Sequence, residues 1–125
     1  MSFLINIEKK TLDNNFFREV LFTAEHSQLV VMSIEAGGEI GMETHDDIDQ
    51  FIRVEAGTGK SILDGEERAI EDGTAIVIPA GTRHNIVNTS QTESLKLYTV
   101  YSPPEHPDKT IHKTKVEADA DEHDH

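Results

Sequence analysis

Apolar and polar residues alternate with a period of two along most of the chain. The segments FFREVLFTA, QLVVMSIEA, DQFIRVEA, TAIVIPA, HNIVNTS and SLKLYTVYS are short and rich in β-branched and aromatic residues, and they are separated by Gly, Pro, Asn or Asp. That pattern predicts strands with one buried face and breaks between them. Asp64-Gly65, between SIL and EERAI, predicts a tight hairpin, because a two-residue type I′ turn needs positive φ at both central positions. AGTGK and EDGT mark two further turns. No stripe of helical period is sustained before position 105, and TKVEADADEH has room for at most a short, loosely held helix. About eight to ten short strands in one chain imply an all-β sandwich or barrel, since an open sheet would leave long unpaired edges.

The length of 125 residues fits one core. A barrel domain over 1–107 is expected, followed by an acidic tail over 108–125, exposed or loosely helical. VEADADEHDH carries five acidic residues in ten and almost nothing to bury, so His123 and His125 are expected in an exposed polar terminus. The absence of cysteine removes disulfides, thiolate ligands and a cysteine nucleophile. Any metal must therefore be held by nitrogen and oxygen. A net charge of −13, from 24 acidic and 11 basic residues, repels polyanions and argues against nucleic acid as a partner. No apolar run approaches the roughly 20 residues of a membrane span and the N-terminus lacks the pattern of a secretory leader, so no membrane partner and a cytoplasmic location are expected.

Two glycine-punctuated segments carry the chemistry. One runs Gly37, Glu43, His45, Gln50, Gly57; the other runs Gly73, Pro79, Gly81, His84, Asn88. In spacing they match the two motifs of the cupin superfamily, G-x5-H-x-H-x3,4-E-x6-G and G-x5-P-x-G-x2-H-x3-N, and the chain resembles the small single-domain cupins grouped with mannose-6-phosphate isomerase. All five named positions of the second motif agree. In the first, Glu43 stands where the family has a histidine, and Gln50 stands where it has the glutamate. The resemblance covers residues 37–88 and implies a jelly-roll β-barrel.

It also implies one divalent transition metal (zinc, manganese, iron, nickel or cobalt) held by Glu43, His45, Gln50 and His84. The family's single carboxylate is retained, moved from one ligand position to another. Glu43 and His45 are two apart on one strand and share a face. Gln50, five beyond His45, has the wrong parity for a straight strand, so the residues between must turn; Asp46, Asp47 and Asp49 are read as turn formers. Two histidines and one carboxylate suit a redox-capable metal, and a neutral Gln50 would be a weak ligand.

Parity then places Ile52 and Val54 inward with Gln50, and Ile86 and Asn88 inward with His84, as substrate-pocket candidates. Arg83 and Phe51 are expected to face outward, and Tyr98 and Tyr101 have opposite parity with the inward one undecided. His26, His106 and His112 read as surface or loop histidines. The expected function is a metal-dependent isomerisation or proton transfer on a small, oxygenated, sugar-like molecule, with Glu43 as the proton carrier. An iron-dependent dioxygenase and a non-catalytic binding protein are the alternatives. A homodimer is expected, because outward Phe51 and FFREVLF offer apolar surface and the resemblance implies pairing through sheet faces.

Overall fold

The computed structural model describes residues 1–121; His123 and His125 lie outside them. Two antiparallel sheets face each other. The larger has the order β10-β1-β2-β9-β4-β7 and the smaller β3-β8-β5-β6, with β1 at Arg18–Thr23, β2 Gln28–Ile34, β3 Glu43–Thr44, β4 Asp49–Ala56, β5 Thr58–Leu63, β6 Glu66–Glu71, β7 Ala75–Ile78, β8 Arg83–Asn88, β9 Leu95–Ser102 and β10 Ile111–His112. This is the expected all-β jelly roll, built as two sheets whose hydrogen-bond ladders do not merge into one. The alternating residues Val30, Met32 and Ile34 of β2, Ile52 and Val54 of β4, Leu95 and Leu97 of β9, and Ile86 of β8 fill the space between the sheets, all at 1% exposure or less.

The hairpin turns at Asp64 (φ 49°) and Gly65 (φ 86°), as the sequence requires. Gly57 links β4 to β5 at φ +96°, where an added Cβ would sit 2.6 Å from the Ser94 carbonyl oxygen. Only glycine satisfies both the dihedral and the close approach.

Two helices flank the sandwich. The first, α1 at Ile7–Asp13, has no counterpart in the sequence reading; Asn6 caps its start by accepting from the Lys9 amide. Lys96 on β9 donates to the Leu12 and Asn14 carbonyl oxygens, which fastens the helix end to the large sheet. The second, α2 at Lys115–Ala120, follows β10 and buries Ala118.

Part of the segment after Pro107 is thus held on the sandwich. β10 pairs with β1 through Arg18↔His112 and Glu19↔Ile111. His106 and His112, expected at the surface, are 5% and 4% exposed, a correction with a local cause. Gln28 gathers the loop carrying His106 into the core, and Arg18 on β1 donates to His112 Nδ1 at 3.1 Å. His26 is exposed, as expected.

Candidate metal centre

Glu43 and His84 sit directly opposite each other on paired strands β3 and β8. His45 follows β3 by one residue, and its carbonyl oxygen accepts from the Gly81 amide at 2.8 Å, so the Pro79-Gly81 corner of the second motif ties back onto the first. Asp49 serves that same corner, its Oδ1 accepting from the Ala80 amide at 2.9 Å. The chain bends at Asp46 and Asp47 and returns in β4 with Gln50 buried, so the parity break is resolved where the sequence demands it. Arg83 faces solvent.

Ligand-type atoms of Glu43, His45 and His84 all lie within 4.8 Å of one another. Glu43 Oε1 is 3.3 Å from His45 Nε2 and 3.7 Å from His84 Nε2. Each imidazole meets an oxygen at its other nitrogen. His84 Nδ1 donates to the Thr82 carbonyl oxygen at 2.9 Å, which turns Nε2 toward Glu43; Nε2 is buried and has no hydrogen-bond partner among the described residues. His45 Nδ1 lies 2.7 Å from Glu105 Oε2. Across the sandwich, Gln50 donates through Nε2 to Thr99 Oγ1 at 3.0 Å, while its Oε1 is buried without a hydrogen-bond partner among the described residues. Gln50 pairs in register with Tyr101, and the Tyr101 ring stands edge-on to His45 at 6.1 Å between centroids. Of the two tyrosines, Tyr101 is therefore the inward one, while Tyr98 meets Phe51 on the outer face.

The electrostatics of the metal-free cluster follow from this packing. Burial alone would raise the Glu43 pKa, but the imidazoles of His45 and His84 beside it outweigh burial and hold the carboxyl well below the usual carboxylate range. Burial likewise opposes charge on His45, yet Glu105 and Glu43 overcome it and raise its pKa to about 10. Binding of a cation by such a cluster would be coupled to release of its protons.

A cavity of about 790 Å³ opens over Glu43 and His45. Its walls include Ile40, Met42 and Ile48 from the segments before β4, Arg18 from β1, Glu105, and Lys115 and Ala118 of α2. None of the four residues read as pocket-lining borders it. Ile52, Val54 and Ile86 belong to the hydrophobic core. Asn88 is a structural clamp: its amide donates to the Ile34, Glu35 and Glu93 carbonyl oxygens and its Oδ1 accepts from the Ser90 amide. Parity placed all four on the inward face, where they are buried. At about 3.3 Å per residue, positions two and four beyond a ligand lie roughly 7 and 13 Å further along the strand, which here means further into the core. Glu105 was missed altogether; its loop shows no periodicity, and nothing in SPPEH marks it as a neighbour of His45.

Comparison with known proteins agrees with this construction. The cupin domain profile matches residues 30–101, more than half of the chain. An uncharacterised Bacillus subtilis protein, YrkC, is 46% identical over 96% of this chain and 67% of its own length. An uncharacterised Acanthamoeba polyphaga mimivirus protein, L612, is 45% identical over 84% of this chain and 68% of its own. The crystal structure of BH2720 from Bacillus halodurans is 43% identical, covers 97% of this chain and 96% of that one, and superposes with a TM-score of 0.94. Motif, fold and relatives converge: the chain belongs to the cupin family.

Proposed function

We propose that this cupin holds one divalent transition metal through Glu43, His45 and His84, with Gln50 as a fourth, neutral ligand. The observation that carries the reading is the convergence of Glu43, His45 and His84 ligand atoms within 4.8 Å of one another, together with two buried polar atoms, His84 Nε2 and Gln50 Oε1, that lack hydrogen-bond partners among the described residues. Buried polar atoms are almost always satisfied, and a cation ligated by both removes the anomaly. A donor set of two imidazoles, one carboxylate and one amide suits zinc, manganese, iron, nickel or cobalt.

The loaded site acts as an enzyme on a small oxygenated, sugar-like molecule, by proton transfer or isomerisation beside a carbonyl. The metal supplies Lewis acidity toward the substrate oxygen. Glu43 borders the cavity and is the proton carrier. Ile40, Met42 and Ile48 give the substrate an apolar wall, and α2 screens one side of the opening from water. Two histidines and a carboxylate are also the ligand set of non-haem iron oxygenases, which keeps an iron-dependent dioxygenase as the second reading.

The test is solvent-deuterium incorporation beside the carbonyl, followed by NMR across a panel of small hydroxy-carbonyl compounds, with oxygen uptake measured in parallel on iron-loaded protein. Exchange dependent on metal and lost in Glu43→Gln supports the first reading. Oxygen uptake without exchange assigns the second. Saturable binding with neither leaves a non-catalytic binding protein.

A further inference from the structure

The loop that carries Glu105 is pinned by one buried side chain. Gln28 on β2 is 1% exposed, and three of the four bonds its amide makes go to that loop. Its Nε2 donates to Thr23 Oγ1 at 2.9 Å and to the His106 carbonyl oxygen at 2.7 Å. Its Oε1 accepts from the backbone amides of Glu105 at 3.2 Å and His106 at 3.0 Å. The loop has no ladder of its own at this point, so these bonds set its position. Two contacts then pass from the loop to His45. Glu105 Oε2 meets His45 Nδ1 at 2.7 Å, and the His106 ring stands edge-on to Tyr101 at 5.2 Å, which in turn stands edge-on to His45.

Resting on the metal reading above, we infer that Gln28 and Glu105 form a supporting relay for the metal site, with Gln28 as the positioning residue and Glu105 as the carboxylate that orients His45 and strengthens it as a ligand. A carboxylate accepting from the far nitrogen of a ligating imidazole fixes its tautomer and raises its basicity, and loss of such a partner weakens metal binding by about 10–100-fold. An alternative purely structural role for Gln28 would affect stability without acting through Glu105.

The experiment is titration of metal-stripped full-length protein with cobalt(II), reading affinity by chelator competition and ligand geometry from the visible absorption of the bound ion. Glu105→Ala should weaken cobalt binding by about 10–100-fold and alter the spectrum. Gln28→Met, which removes all four bonds, should weaken it in the same direction. Gln28→Glu keeps the two accepting bonds; it is the variant to use if Gln28→Met does not fold, with an intermediate loss expected. In the Glu105→Ala background the Gln28 substitution should add almost nothing, because it acts through the carboxylate already removed. Wild-type affinity and spectrum in Glu105→Ala, or losses that multiply in the double variant, would overturn the inference while leaving the metal reading intact. A wild type that takes up no cobalt would overturn both.

Discussion

His45 is the residue on which most of the site's behaviour turns, because it has a carboxylate at each nitrogen. In the metal-free protein its pKa stands at about 10 against an ordinary 6.5. A raised pKa stabilises the fold fully below the unfolded value and loses that contribution as pH climbs through the folded one. Glu43 is lowered from its ordinary 4.5, so its contribution is present above that value and lost in acid. Both contributions are therefore complete between about pH 4.5 and 6.5. Thermal unfolding in chelator should show the wild type losing Tm relative to His45→Gln as pH rises from 6.5 toward 10. A difference that stays flat across that range would contradict the pairing. Metal uptake requires the imidazole nitrogen free of its proton, so affinity should strengthen over the same interval.

Part of this site was legible in the sequence. Glu43, His45 and His84 were legible because ligand spacing on short strands is dictated by side-chain alternation. Glu105 and Gln28 were not, because their contacts depend on how a loop returns across the sandwich, which no local pattern encodes.

Strands with strict alternation, such as β2 and β9, were legible as elements, and so was the hairpin at Asp64-Gly65. Helix α1 was not, since seven residues hold too few turns for a stripe to emerge and its docking depends on the distant Lys96. Nor were β3 and β10, two residues each, which exist only because a partner strand lies beside them.

Gly57 tests the connection between the sheets. Gly57→Ala should destabilise the protein by at least about 1–3 kcal/mol, the usual cost of a strained dihedral, with the close Ser94 carbonyl adding to it; denaturant unfolding reads this directly. An unchanged midpoint would show that the turn can relax. Helix α2 buries only Ala118, so truncation after His112, which spares β10, should leave folding and metal content in place. It removes Lys115, Ala118 and Asp119 from the cavity wall, and KM for any substrate should rise. Loss of the β circular dichroism signal would show instead that the helix is needed by the sandwich.

At the scale of the molecule, the outer face of the large sheet is only partly covered. Helix α1 packs against β2, β4 and β9, and Phe51 is half-buried beside Tyr98, so the chain itself shields part of the surface assigned to a partner. Val77, opposite Phe51 on the edge strand β7, is 66% exposed, and Leu4 is 95% exposed. We propose a homodimer that covers this face, since large exposed apolar patches are uncommon on monomers. Light scattering should give twice the 13.9 kDa chain mass, and Val77→Glu should lower it without loss of metal; a mass of one chain would contradict the dimer. Among the described residues no helix is long and apolar enough to cross a membrane.

The most direct test of the account is elemental analysis of protein purified without an affinity tag, alongside His45→Ala and His84→Ala. Close to one transition-metal ion per wild-type chain is expected, with loss of most of it in both variants while the β circular dichroism signal persists. A wild type that carries no stoichiometric metal and accepts none on addition, or variants that retain it at full occupancy, would contradict it.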